Sequence, residues 1–298
     1  MIDLKYHIVS IIGVFLALGL GILIGSTLVS DDIMVGQQRK MIDDLEEKFM
    51  VLREREDSLV NLNESKDVVI GDYENFSQAM LPLVVKDQLQ DVRTAIIVTG
   101  GQDVPAGLTN TLALAGAQVV SQTVVLSNVN MQEENVREKL IHFYNLEENV
   151  SLDVLRQSVA TSVALVLCNK ADPMVKDFLE ELELMKFRGE YFTDVDKFIM
   201  VGGADKLLVS FARTFDKPLI EVFLDEGKLI TGVEGSEVHY SYIGTYKDYN
   251  ITTIDNIDRS PGQIALVLSM GGEPGNYGIK VTADKFMPSL PVDYLGGQ

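Results

Sequence analysis

The sequence predicts an α/β protein with a single transmembrane helix at its start, a long coiled-coil helix behind it, and a sheet domain last. Three observations lead there. Residues 8–29 carry no charge. Residues 30–80 are rich in charge, lack Pro, and place apolar residues at heptad spacing. Beyond residue 81, short Val- and Ile-rich runs alternate with helical patterns, which implies a mostly parallel, Rossmann-like sheet covered on both faces. The expected organisation is a cytoplasmic tail at 1–7, a membrane helix at 8–29, a coiled coil at 30–80 and an extracytoplasmic α/β domain at 81–298.

The uncharged run is 22 residues long. As a helix it would measure roughly 33 Å, enough to cross a hydrocarbon core of about 30 Å. Lys5 and His7 precede it, and Asp31 and Asp32 follow it. A cleaved signal peptide is the competing reading. Against it, the apolar region is overlong and no A-x-A site follows, although Gly25-Ser26-Thr27 is a small-residue stretch. Basic residues nearly tie across the segment: Lys5 and the amino terminus on one side, Arg39 and Lys40 on the other. A short tail is easier to retain than a long body, so the expected topology is amino terminus inside and body outside. Gly13, Ala17, Gly21 and Gly25 recur every four residues. They align along one side of a helix, where a second helix can approach closely, so self-association is expected there.

Val35, Ile42, Leu45, Phe49, Leu52 and Leu59 form the expected coiled-coil seam. Glu56 interrupts it. A second register runs through Leu62, Val69, Tyr73, Phe76 and Met80, with Lys66 as its polar member. The three-residue step between them is a stammer, which overwinds a coiled coil locally. Some fifty helical residues would reach about 75 Å. A parallel dimer or higher oligomer is favoured, the alternative being a helix that folds back on the body.

Pro82 ends or kinks that helix. Residues 83–89 read as a short helix and 94–99 as a buried strand ending in Gly100-Gly101. A helix at 108–115, a strand at 118–126 and helices at 133–144, 152–167 and 173–187 follow. Residues 198–201 form a second strand that ends in a glycine pair, Gly202-Gly203. A helix at 206–215, strands at 219–224 and 251–254, and a helix at 261–270 complete the pattern. The passages AIIVTGGQD and FIMVGGADK look alike and hint at two related βαβ halves.

Lys plus Arg is 25 and Asp plus Glu is 44, giving a net charge of −19. That balance sets aside general nucleic-acid binding, because phosphates would repel the surface. One Cys excludes an intramolecular disulfide and any Cys-rich metal site. The glycine pairs Gly100, Gly101, Gly202 and Gly203 mark a ligand crevice if the sheet is open and parallel. Neither pair fits G-x-G-x-x-G, and after Gly107 a Leu stands where a P-loop needs Lys, so tight turns are the plainer reading. No H-E-x-x-H and no G-x-S-x-G occur. Cys168 follows an apolar run and reads as a buried small side chain rather than a nucleophile. Asn63, Asn75, Asn149 and Asn250 stand in N-x-S/T sites. The three His are far apart and the eleven Met form no close pair, so no local motif supports a metal site. No catalytic residues, metal ligands or cofactor are expected, and the chain reads as non-enzymatic.

The opening MIDLKYHIVSIIGVFLALGLGILIGSTLVSD resembles the start of the mycobacterial copper transport protein B (MctB) family. The residues that carry the likeness are Met1, Ile2, Leu4, Lys5, His7, the run Val14-Phe15-Leu16-Ala17-Leu18, and Gly25-Ser26. Similarity continues through LVVKDQLQDVRTAIIVTGGQD and returns in PGNYGIKVTADKFMPSLP. The resemblance implies an envelope protein anchored by one helix, with copper as a transported ion and a role in copper efflux or homeostasis. One helix is no pore, so transport would need oligomerisation or an envelope protein partner. The alternative is a cell-envelope adaptor or scaffold acting through coiled-coil dimerisation.

Overall fold

The computed structural model describes residues 4–207 and 211–290, with side chains described except at 27–33. The Thr27–Val29 end of the predicted membrane span therefore lies outside the described side chains, as do residues 208–210 of the predicted 206–215 helix. The chain divides into two units, Met1–Gly71 and Asp72–Gln298.

The first unit is helical throughout its described residues, as part of α1 (Leu4–Val85). Its first stretch, Leu4–Ser26, is 23 residues long and apolar enough to cross a membrane. Every described side chain from residue 4 to residue 71 is exposed. Further along, Val35, Ile42, Leu45, Phe49, Leu52 and Leu59 are all at least 46% exposed. Such a row on a charged helix is the surface a helical partner would cover.

The second unit is a mixed α/β domain. In chain order it holds the end of α1, then β1 (Arg93–Val98), α2 (Leu108–Leu114), β2 (Gln118–Val125), α3 (Glu134–Tyr144), α4 (Leu152–Leu167) and α5 (Pro173–Glu181). There follow β3 (Met185–Gly189), β4 (Lys197–Gly202), α6 (Lys217–Asp225), β5 (Leu229–Glu234), α7 (Ile243–Lys247), β6 (Thr252–Ile254), α8 (Ser260–Gly271) and β7 (Asn276–Tyr277). The seven strands form one sheet in the order β3-β2-β1-β4-β5-β6-β7. All neighbours are parallel except β3, which runs antiparallel on β2 at the edge. The mostly parallel α/β fold read from the sequence is the one observed.

Alternation along the central strands feeds two cores. Ala95, Ile97, Phe198 and Met200 point to the face covered by α3, α4, α5 and α6. Ile96, Val98, Ile199 and Val201 point to the other, with α2, α8 and the end of α1. Both faces being dry is why these strands read as continuous apolar runs. Phe198 stacks on Phe223 at 4.3 Å between ring centroids, which anchors α6 to β4.

Several elements depart from the sequence reading. Residues 219–224 are helix α6, not a strand: Pro218 sits in its first turn, and Leu219, Ile220 and Phe223 form one helical face. The strand expected there is β5, which follows the left-handed turn at Gly227. The 173–187 helix stops at Glu181, Glu183 turns with φ 50°, and the chain leaves as edge strand β3. The helical 206–215 segment is replaced, over Ala212–Asp216, by one turn of π-helix that runs into α6. Pro82 stays inside α1, which continues to Val85 and sends Leu81 and Val85 into the core, so the separate short helix expected at 83–89 is instead the end of α1 followed by turns over 86–91.

Glu74 ties α1 to α8. Its Oε1 accepts from the Ser260 N–H at 3.2 Å and the Ser260 hydroxyl at 3.0 Å. A carboxylate there satisfies unpaired first-turn donors and meets the positive end of the helix dipole. Glu74→Ala is expected to lower the domain's stability by about 1 kcal/mol. Glu74→Gln, which keeps the acceptor and loses the charge, should lose less. Urea unfolding of the full chain, followed by its tyrosine signal, measures both.

Candidate functional site

The sheet reverses its winding between β1 and β4. From β1 the chain moves outward to β2, and from β4 it moves the other way to β5. At such a point the two loops leave in opposite directions, and open α/β sheets place ligands beside the strands' carboxyl ends. Gly100 and Gly101 follow β1, and Gly202 and Gly203 close β4. Gly100, Gly101 and Gly203 have φ of 70°, 75° and 86°, a left-handed backbone that glycine adopts without strain.

The two pairs do different work. A Cβ on Gly100 would lie 2.1 Å from the Gly203 carbonyl oxygen, so the loops cross in backbone contact. A Cβ on Gly202 would lie 2.0 Å from the Tyr246 hydroxyl, so this glycine makes room for a tyrosine. Gly100 and Gly101 line a cleft of about 470 Å³ together with Gln102, Asp103, Asp205 and Lys206, whereas Gly202 and Gly203 do not line it. Gln102 donates to Asp205 across that cleft at 3.2 Å.

Below the crest lies a buried polar cluster that sequence reading did not single out. The π-turn delivers Asp216 into the interior, where it has no exposure. Its Oδ2 accepts from the Thr99 hydroxyl at 2.8 Å and the Tyr246 hydroxyl at 2.5 Å. Its Oδ1 has no hydrogen-bond partner among the described residues. Burial pushes the Asp216 carboxyl up from 3.8 to about 7, and the two hydroxyl bonds only partly offset this. Burial and then the neighbouring Asp216 push Tyr246 well above the ordinary phenol value. The cluster is a buried acid that holds its proton into the neutral range.

A second buried carboxyl, Glu234, ends β5 and is treated differently. It accepts from the Lys280 ammonium at 2.7 Å, the Ser241 hydroxyl at 2.7 Å and the Tyr242 N–H at 2.8 Å. Lys280 also donates to the Gly235 carbonyl at 2.9 Å. Asp255, at the end of β6, accepts the Ile279 and Lys280 N–H groups at 2.7 and 3.0 Å. The stretch GNYGIKV is thereby clasped over the ends of β5 and β6. Its sequence signal was the late segment that resembles the family.

The remaining predicted site residues belong to other elements. Gly13, Gly21 and Gly25 lie on α1, and no described atom stands within 4 Å of a Cβ built on them. Cys168 is free and buried, and burial pushes its thiol up to about 11, so it stays protonated near neutral pH. Among the described residues no three His, Cys, Asp or Glu side chains converge as a metal cluster.

Comparison with known proteins follows the same layout. A family model described as "Copper transport outer membrane protein, MctB" matches residues 1–288. The chain belongs to the MctB family. Among its relatives are the proteins named copper transporter MctB of Mycobacterium bovis and of Mycobacterium tuberculosis. Each is 26% identical over 315 residues, spanning 93% of this chain and 96% of the relative. The MctB match takes in the apolar helix, the long helix and the α/β domain alike. The clasped segment at 275–286 also falls inside it.

In this MctB family member, Asp216 sets a pH dependence whose sign follows from its raised value. The folded form holds a proton that the unfolded chain gives up near 3.8. Its contribution to stability is therefore fully present below about pH 4 and lost as pH rises through about 7. Glu273 is opposite: its bond from Lys285, first among the causes, lowers it to about 2, so its contribution is lost as pH falls from 4.5. Asp216→Asn is expected to flatten the decline between pH 4 and 7 and leave the acid limb unchanged. Urea midpoints across that range check it.

Proposed function

We propose that this chain works in copper homeostasis as a single-pass, membrane-anchored member of its family, with its amino terminus inside and its α/β domain outside. The observation that carries the reading is the family match over residues 1–288 together with one apolar helix, Leu4–Ser26, at the start of the matched range. The mycobacterial relatives are named copper transporters, and copper here is cargo rather than a resident cofactor. One helix encloses no path for an ion, so movement of copper requires further copies or an envelope protein partner. The small-residue face at Gly13, Ala17, Gly21 and Gly25 and the exposed seam from Val35 to Leu59 supply the self-association surface.

Deleting the chain from its host is expected to raise cell-associated copper and to sensitise growth to added copper, both restored by the full chain. The exposed seam favours one other reading, a non-enzymatic envelope scaffold. Unchanged copper content alongside a defect in envelope integrity or division would favour the scaffold.

Assembly is tested separately. Phe49 is 62% exposed on the seam. Phe49→Asp puts a carboxylate where a partner helix would desolvate it, at a cost of several kcal/mol. The full chain in detergent is expected to sediment as a dimer or larger, and the variant as a smaller species. A monomer for both would remove the seam from the argument.

Direct copper binding has its own expectation. The sequence offers one Cys, three separated His and no paired Met, so a tight Cu(I) site is not expected. Binding should be weak and fall as salt screens the net charge of −19. Competition against a calibrated Cu(I) chelator measures this, and stoichiometric, salt-resistant binding would show that the fold gathers distant ligands.

A further inference from the structure

Where the loops after β4 and β5 meet, the protein has a second cavity at the carboxyl ends of its strands. Ala204 and Tyr240 exchange backbone hydrogen bonds of 3.0 and 2.8 Å, which hold the two loops together. The cavity beside this bridge measures about 470 Å³. Arg213, His239, Thr214, Thr245, Ser241 and Tyr240 contribute its polar side chains, and among the described residues no Asp or Glu lines it. Its floor is Tyr242, 1% exposed, whose hydroxyl accepts from the Phe211 N–H at 2.9 Å.

The charge pattern is unusual for this chain. Acidic residues outnumber basic ones 44 to 25. Arg156 pairs with Asp153, and Arg259 with Glu237 and Asp258. Arg213 has no ion pair and no hydrogen bond among the described residues, and neither has the His239 ring nor the hydroxyl of Thr214 or Thr245. Ser241 turns its proton to Glu234, and that carboxylate is buried and paired with Lys280. The cleft beside Gly100 is the contrast, with Asp103 and Asp205 in its wall.

We propose that the cavity framed by Arg213, His239, Thr214 and Thr245 is a binding site for a small oxyanion, a phosphate or carboxylate group borne by a soluble ligand. A guanidinium gives a planar fork of donors suited to such a group, and an imidazole and two hydroxyls can add donors from other directions. The rigid floor and bridged loops hold these groups near one another before a ligand arrives, and a few convergent polar groups in a cavity are the ordinary make-up of a small-ligand site. The cavity also stands at the carboxyl-end side of the parallel strands, the end at which open α/β sheets take ligands, one strand over from the β1–β4 reversal. The inference is independent of copper and of the α1 seam.

The test is calorimetric titration of inorganic phosphate, and separately of acetate, into the full chain in a maltoside detergent at constant ionic strength. Saturable binding with a Kd on the order of 1 mM is expected, since the donors stand at a solvated rim. Arg213→Ala and His239→Ala should each weaken it at least about tenfold, because each removes a donor to a charged acceptor. Both side chains are exposed, so the thermal midpoint should not move. Thr245→Val serves as a second variant with a smaller loss. Phosphate bound better than acetate identifies a phosphate-bearing ligand, and the reverse order a carboxylate. Absence of saturable binding by either anion, or binding that survives both Arg213→Ala and His239→Ala, overturns the proposal.

Discussion

The parallel pairing of residues 94–98 with residues 197–201 is the constraint on which the rest of the α/β domain depends. These strands lie side by side although Thr99, just past the end of β1, and Val201 of β4, to whose carbonyl it donates, are 102 residues apart in the chain. Their alternating side chains supply the centre of both cores. Their carboxyl ends define the crest, because the chain departs from them in opposite directions. The backbone contact of Gly100 with Gly203 closes that end of the pair, and a side chain at Gly100 would pry the loops apart. The cleft at Gly100 follows from this pairing, and the cavity at Arg213 lies one strand over, between the loops after β4 and β5.

Two buried carboxyls under the same crest are stabilised by opposite means. Asp216 has hydroxyl donors and stays near neutral by keeping its proton. Glu234 has an ammonium, a hydroxyl and a backbone N–H as its partners. Desolvation is severe for both, and each arrangement is one of the two ways a buried acid is tolerated. The consequence is spatial. Under β1 and β4 the buried carboxyl is held by hydroxyls alone, while the β5–β6 side holds an ion pair that clasps the late segment.

How much of this was legible in the sequence depends on how far apart the cooperating residues lie. The apolar helix and the charged helix were readable because their composition is uniform over tens of residues. β1 and β4 were readable because burial on both faces leaves unbroken apolar runs. Helix α6 was misread because a short apolar run does not distinguish strand from helix, and the telling residue was Pro218. Strand β5 was hidden by Gly232, which accommodates the Tyr246 ring, and by Glu234, whose partner is 46 residues away. Thr99, Asp216 and Tyr246 share no local pattern, being separated by 117 and 30 residues. The glycine pairs could be seen as turns, but only the fold tells that one pair lines a cleft and the other makes way for a tyrosine.

The clasp formed by Lys280 has a consequence for the strands it covers. Glu234 is buried at the end of β5, yet its cation arrives from a segment 46 residues further along the chain. A chain lacking that segment leaves the carboxylate in the interior without its counter-charge, and Asp255 without the two N–H groups it holds. A desolvated charge left unpaired costs far more than the contacts of an ordinary surface loop, so the 275–281 stretch serves β5 and β6 as a counter-ion and a set of donors supplied from a distance.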